Sequence, residues 1–198
     1  LLQGDVGSGK TLVALFGCAM AFENGYQSCV MAPTEILARQ HYENILKMIA
    51  DGPLRGMSAA LLISGINKKE KDQLYARIAN GEINLVIGTH ALITEEVSFK
   101  SLSFAVIDEQ HKFGVRQRAL LSEKGNNPDV LIMTATPIPR TLCITLYGDL
   151  DLSVIDELPS GRGKILTSLY PHEQAEEVYK IVRQKVSEGQ QAYIIYPV

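Results

Sequence analysis

A glycine-rich stretch near the start of the chain, GDVGSGKT, has the residue types and spacing of a phosphate-binding loop. It fits the pattern G-x-x-x-x-G-K-[ST], in which backbone amides curl around phosphates at the N-terminus of a helix. A short apolar piece precedes it and a helical pattern follows it, as such a loop requires. The stretch therefore predicts eight nucleotide-binding residues: Gly4, Asp5, Val6, Gly7, Ser8, Gly9, Lys10 and Thr11.

Two residues of this loop have separate predicted tasks. Lys10 would reach the β- and γ-phosphates of the nucleotide, and the Thr11 hydroxyl would hold Mg²⁺. The Mg²⁺ shell then needs a carboxylate from the end of a neighbouring strand.

The run FAVIDEQH, residues 104–111, supplies two adjacent carboxylates at the end of an apolar stretch. An isolated Asp-Glu pair most often marks a solvated turn, but the phosphate-binding loop changes that interpretation. Asp108 is predicted to act on the metal, and Glu109 to orient and deprotonate the attacking water. The sequence offers no sign of an acceptor pocket, so the residues alone predict hydrolysis of Mg-ATP.

The elements that must position these residues alternate along the chain. Short apolar runs are separated by segments of helical period, which predicts an α/β fold with a parallel sheet sandwiched by helices. Strands are predicted at 29–33, 59–64, 83–89, 104–109 and 130–136, and helices at 10–24, 34–50 and 67–80.

A stretch rich in proline and glycine, residues 156–164, predicts a boundary between domains. We expect a first domain at 1–157, a linker at 158–164, and the beginning of a second domain at 165–198. In that last segment, strands at 165–170 and 192–197 would flank a helix at about 172–188.

Composition excludes several classes of protein. The 198 residues carry a net charge of −3, which provides no global attraction to nucleic acid. The apolar runs are too short to span a bilayer and no signal peptide is visible, so we expect a cytosolic protein without a membrane partner. Cys18, Cys29 and Cys143 lack metal-site spacing and are expected to be buried thiols.

Five stretches occur in the order and spacing of motifs I, Ia, Ic, II and III of superfamily 2 helicases: GDVGSGKT, APTEILARQH, IGTHALI, DEQHKFGVRQR and MTATPIPRTL. The chain also resembles, more narrowly, the motor of the RecG family of bacterial branched-DNA translocases. DEQHKFGVRQR, ATPIPRT and YGDLDLSVIDELPSGR carry that narrower likeness. The related transcription-repair coupling factor Mfd usually has DEEH at motif II, so Gln110 favours RecG.

The resemblance implies a RecA-like P-loop NTPase with ATP and Mg²⁺ as cofactors. Such a motor tracks on duplex or branched DNA at the nucleoid, and remodels stalled forks and Holliday junctions as two RecA-like domains close on ATP. His111 is then a further catalytic residue. Residues implied to contact DNA or to couple it to the nucleotide are Pro33, Thr34, Glu35, Arg39, Gln40, Thr89, His90, Gln110, Lys112, Arg116, Arg118, Thr134 and Thr136. His41 and His172 are predicted to be ordinary surface or helix-end residues.

The family also has an N-terminal wedge domain, the remainder of a second motor domain, and an arginine finger on that domain. We expect all three to lie outside these 198 residues. An arginine finger typically contributes ~10³ to 10⁵ in rate, so the isolated chain is expected to bind Mg-nucleotide but to hydrolyse it poorly. An unfinished second domain also predicts self-association through 165–198.

Three alternatives stay open at the level of sequence. An Mfd-like motor and an RNA helicase of the same superfamily share the chemistry of motifs I to III. A nucleotide-dependent switch that does no mechanical work is the third, although it would have no need of Glu109 as a water-activating carboxylate.

Overall fold

The computed structural model of the chain describes residues 1–52, 54–109, 120–121, 123–136, 150–157, 163 and 165–195. The chain divides into two compact units, Leu1–Pro159 and Ser160–Val198. Several predictions fall outside the described ranges. They concern the linker apart from Gly163, and Gln110, His111, Lys112, Arg116, Arg118 and Cys143.

The first unit is built on a sheet in which the described residues form seven strands. They are β1 (Leu2–Gly4), β2 (Gln27–Met31), β3 (Ala59–Leu62), β4 (Leu85–Gly88), β5 (Leu102–Asp108), β6 (Asp129–Thr134) and β7 (Ser153–Ile155). Their order is β3-β4-β2-β5-β6-β1-β7, and every neighbouring pair is parallel. The predicted α/β fold with a parallel sheet is confirmed.

This order decides what can meet at one edge of the sheet. Only β6 separates β5 from β1. Because all the strands are parallel, their carboxyl ends share one edge, which we call the carboxyl edge. The glycine-rich loop after β1 and the carboxylates after β5 therefore lie at the same edge.

Three helices of the first unit match the sequence prediction to within one residue at each end. They are α1 (Lys10–Glu23), α2 (Glu35–Asp51) and α3 (Lys68–Ala79). Side-chain caps explain why two of them begin where they do. Thr34 Oγ1 accepts a hydrogen bond from Leu37 N at 3.3 Å, and Asn67 Oδ1 accepts one from Glu70 N at 2.9 Å.

Apolar clusters cover both faces of the sheet, because successive side chains of a strand point to opposite faces. Val106 packs in one cluster and Ile107 in the other. Cys18 and Cys29 are fully buried thiols, as predicted. Burial raises the pKa of Cys18 to about 11 and raises the pKa of Cys29 as well.

One buried polar side chain, Gln27, fastens the amino ends of the central strands. Its Nε2 donates to Ile78 O at 2.9 Å and Ile83 O at 2.7 Å. Its Oε1 accepts from Lys100 N at 2.8 Å and Ser101 N at 3.1 Å. All of its hydrogen-bonding capacity is directed at backbone, so Gln27 has a structural role.

The second unit contains a 3-10 turn at His172–Gln174 and helix α4 (Ala175–Ser187). The helix is confirmed, but the strands predicted at 165–170 and 192–197 are wrong for the residues that the structure describes. Strands need hydrogen-bonded neighbours and a covered apolar face, and two parallel strands are too few to provide them. Leu169, Tyr193 and Ile195 are accordingly 98%, 87% and 89% exposed. Self-association through this unit stays a prediction.

Among the described residues, no helix combines the length and the apolar character that crossing a membrane requires.

Candidate nucleotide site and nucleic-acid face

The glycine-rich loop leaves β1 at Gly4 and enters α1 at Lys10. Gly9 has φ 94°, in the left-handed region that favours glycine, and a Cβ there would meet no atom within 4 Å. Its glycine requirement is therefore conformational. At Gly4 a Cβ would lie 2.6 Å from Ser8 Oγ and 3.1 Å from Ile155 Cβ, so a side chain there would displace the Ser8 hydroxyl and crowd β7.

Lys10 folds back along this loop. Its Nζ donates to Gly4 O at 2.7 Å and to Asp5 O at 2.9 Å. An ammonium group has three donors, so these bonds fix its position and leave a third donor for a phosphate oxygen. Ser8 Oγ is buried in the same loop and has no hydrogen-bond partner in the part of the chain that the structure describes. The loop thus presents a fixed cation and an unsatisfied hydroxyl.

The two carboxylates lie where β5 ends. Asp108 is the last residue of β5 and pairs in register with Met133 of β6. Glu109 follows with φ 50°, a left-handed conformation that is uncommon for a residue other than glycine. Holding such a conformation costs about 1 kcal/mol or more, and residues of this kind cluster at active sites. Glu109 thus turns away from the strand directly after the predicted metal-binding carboxylate.

A cleft of about 410 Å³ joins these two groups at the carboxyl edge. Its lining residues are Val6, Gly7, Gly9, Lys10, Thr11, Leu12, Leu37, Asp108, Glu109, Met133 and Ala135. The structure thus brings together the Lys10 ammonium group, the Thr11 hydroxyl and the carboxylates of Asp108 and Glu109, which the sequence predicted to act on one nucleotide.

A second cavity, of about 360 Å³, lies at the opposite end of the sheet. It is mainly apolar, and Phe104 and Asp129 at the beginnings of β5 and β6 contribute to its lining. Ligands of parallel α/β sheets bind outside the carboxyl ends of the strands. The cleft beside Lys10 is therefore the candidate nucleotide site.

One residue of the site was misjudged from the sequence. His41, on α2, is mostly buried, and its Nε2 lies 2.8 Å from Asp108 Oδ2. The prediction of an ordinary surface residue is wrong for His41, whereas His172 is exposed at a helix start as predicted. The contact between His41 and Asp108 could have been inferred only from the strand order, because α2 follows β2 and β2 is the neighbour of β5.

Motif Ia forms the start of α2 and the residues that directly precede it. Thr34 caps the helix, and Glu35 Oε1 accepts a hydrogen bond from Ser64 N at 3.2 Å. Arg39 and Gln40 are exposed, and Pro33 is partly exposed. The contact with Ser64 ties motif Ia to the loop after β3, a neighbour that sequence reasoning did not single out.

The predicted coupling residues that follow β4 and end β6 also lie at the carboxyl edge. Thr89 directly follows β4 and is 3% exposed, and its buried hydroxyl has no hydrogen-bond partner within the described ranges, whereas His90 is exposed. Thr134 ends β6, and its hydroxyl lies 2.8 Å from that of Thr136. The two motif III hydroxyls therefore bond to each other.

Comparison with known proteins identifies the family. Residues 1–144 match the model of the DEAD/DEAH box helicase family. The chain belongs to the DEAD/DEAH box helicases.

Two relatives of high sequence identity are RecG helicases. Over its whole length the chain is 51% identical to the ATP-dependent DNA helicase RecG of Aquifex aeolicus (strain VF5) and covers 25% of that protein. It is 50% identical to RecG of Bacillus subtilis (strain 168), of which it covers 28%. The chain thus spans about a quarter of the length of these relatives.

A solved structure of RecG bound to a three-way DNA junction matches the whole chain at 45% identity, with a TM-score of 0.82. The chain covers 26% of that protein. The resemblance to RecG and the RecA-like helicase fold are confirmed.

Membership of the DEAD/DEAH box helicases implies the use of ATP, typically with Mg²⁺. The glycine-rich loop that borders the cleft fits that ligand. The buried Ser8 hydroxyl of this loop has no hydrogen-bond partner among the described residues, and the 14-residue helix α1 follows Gly9, which has no side chain to cap the helix amides. Unsatisfied donors at a helix N-terminus are suited to phosphate oxygens.

Proposed function

We propose that the chain is the nucleotide-binding part of an ATP-dependent DNA motor that acts on branched DNA. The observation that carries the proposal is the cleft in which Lys10, Thr11, Asp108 and Glu109 converge. The relatives of about 50% identity over the whole chain are named ATP-dependent DNA helicase RecG, which directs the proposal toward DNA.

In this proposal Lys10, Thr11, Asp108 and Glu109 each have a separate task. Bound Mg-ATP supplies the phosphoanhydride bond and a cation that offsets the charge of the phosphates. The loop amides and Lys10 would hold the phosphate oxygens, and Thr11 and Asp108 would hold the metal. Glu109 would orient a water molecule and accept its proton as the water attacks the terminal phosphorus and the phosphoanhydride bond to ADP, the leaving group, breaks. His111 keeps its predicted catalytic role.

The nucleic-acid face is proposed to be the carboxyl edge beside the cleft. Thr34, Arg39, Gln40, Thr89 and His90 follow β2 and β4 at that edge. Such groups hold phosphates without reading the base sequence. Since the net charge of the chain is −3, local contacts of this kind must replace global electrostatic attraction.

Coupling between DNA and nucleotide is proposed to pass through β6. Met133 and Ala135 line the cleft, and the hydroxyls of Thr134 and Thr136 lie between and beyond them on the same segment. A shift of this segment on DNA binding would therefore be felt at the nucleotide.

The test is ATP hydrolysis by a full-length protein that contains this chain. We expect a three-way DNA junction to stimulate hydrolysis more than linear duplex or RNA does, and Lys10→Ala to abolish it. Stimulation by RNA alone would favour the RNA-helicase alternative, and hydrolysis that no nucleic acid stimulates would contradict a motor function.

A further inference from the structure

We propose that His41 is a positioning residue that holds the Asp108 carboxylate in the orientation needed for the metal of the bound nucleotide. This inference rests on the proposed function, because it gives Asp108 its role at the metal. It adds a residue of α2 to the proposed metal-site residues, which otherwise come from the start of α1 and the end of β5.

The contact itself is short and shielded from water. His41 Nε2 lies 2.8 Å from Asp108 Oδ2, and the two side chains are 12% and 13% exposed. An ionised carboxylate can only accept hydrogen bonds, so Nε2 must carry the hydrogen. One bond to Oδ2 fixes the rotation of the carboxylate and leaves further acceptor positions on its two oxygens for a metal ion or its water.

Both partners belong to rigid elements. Asp108 ends a strand that is paired on each side, by β2 and by β6. Helix α2 is capped by Thr34 and packed through Ala38 and Ile45, which are 0% and 2% exposed. A bond between two fixed elements orients a ligand better than one from a mobile loop does.

Metal-binding carboxylates depend on such partners. Outer hydrogen-bond partners of metal ligands set the orientation of the ligand, and their loss typically weakens metal affinity by about 10- to 100-fold. In this site the phosphates also hold the metal, so we expect the lower end of that range. Nucleotide binding without metal depends on the loop after β1 and should be unaffected.

The test measures metal affinity separately from nucleotide affinity. Mn²⁺ serves as the probe, with free Mn²⁺ followed by electron paramagnetic resonance as it is added to the purified chain carrying a non-hydrolysable ATP analogue. Binding of the analogue alone is measured in EDTA. His41→Ala should leave the latter unchanged and weaken Mn²⁺ binding by about tenfold.

Two further variants distinguish positioning from packing. His41→Gln places an amide nitrogen near the position of Nε2 and should restore most of the Mn²⁺ affinity. Asn44→Ala removes an exposed side chain from the same helix and should behave as the parent does. If His41→Ala fails to fold, His41→Asn, whose donor is too short to reach Asp108, replaces it with the same expected loss.

Three results would overturn the inference: parental Mn²⁺ affinity in a folded His41→Ala, equal losses with and without metal, or no recovery in His41→Gln. These differ from failure of the proposed function, in which the parent chain itself would bind neither the analogue nor Mn²⁺ with it.

Discussion

The two ends of the same sheet differ in what their carboxylates do. Asp108, where β5 ends, is nearly buried, contacts His41 and lines the cleft beside Lys10. Asp129, where the adjacent β6 begins, is exposed and borders a mainly apolar cavity. A carboxylate becomes a candidate catalytic group here through its place at the carboxyl edge, where helix N-termini and loops converge.

The largest expected effect comes from removing a carboxylate at the carboxyl edge. Glu109→Gln retains the shape of the side chain but cannot accept a proton, so we expect ATP hydrolysis by the full-length protein to fall by about 10²- to 10⁴-fold. Single-turnover hydrolysis measures the loss. Asp129→Asn is the matched control at the other end and should hydrolyse ATP at the parental rate; equal losses in both would contradict the comparison.

A smaller effect, on stability, is expected when a substitution in β5 creates a cavity in the core. Ile107 is fully buried next to Asp108, so Ile107→Ala should lower the free energy of unfolding by about 2 to 5 kcal/mol. Ser103→Ala, near the beginning of the same strand and partly exposed, should change it by less than about 0.5 kcal/mol. Urea unfolding of the purified chain compares the two. A cost for Ile107→Ala as small as that for Ser103→Ala would mean that the carboxyl end of β5 is not packed as described.

The smallest expected effect comes from replacing glycines of positive φ, and it separates the cost of backbone strain from a loss of nucleotide binding. Gly9 and Gly81 both have positive φ, at 94° and 79°, and they lie at opposite ends of the sheet. Alanine at either position should cost about 1 kcal/mol of stability, since a left-handed residue with a Cβ is strained. At Gly81 the flexible Lys100 side chain must also shift, because its Cδ would lie 2.9 Å from the new Cβ. Thermal unfolding measures that shared cost.

Only Gly9→Ala should weaken nucleotide binding, because Gly9 shapes the loop before α1. Fluorescence titration with a labelled nucleotide checks the difference. Equal affinities in Gly9→Ala and Gly81→Ala would show that the conformation of Gly9 does not matter to the site.

The elements that the sequence predicted well are those with local signals. Helices α2 and α3 begin after Thr34 and Asn67, whose side chains cap them, and the glycine-rich loop has a pattern that needs no distant partner. The run FAVID is continuously apolar up to Asp108, the pattern expected of a strand buried on both faces. These features depend on neighbouring residues, so periodicity and spacing were sufficient.

What the sequence missed depends on distant partners. Strand β7 has only three residues and exists because it pairs with β1. The apolar segments at 165–170 and 192–197 have the composition of strands, yet in the part that the structure describes they find no pairing neighbour. His41 carries no local sign of its contact with Asp108, 67 residues away. That contact follows only from the order of the strands.

The central claim is that the cleft at the carboxyl edge binds Mg-nucleotide. Calorimetric titration of the purified chain with a Mg²⁺-bound, non-hydrolysable ATP analogue tests it most directly. We predict one binding site in the parent and in Asp129→Asn, and no measurable binding in Lys10→Ala. Parental affinity in Lys10→Ala, or loss of binding in Asp129→Asn alone, would place the nucleotide elsewhere and contradict the account.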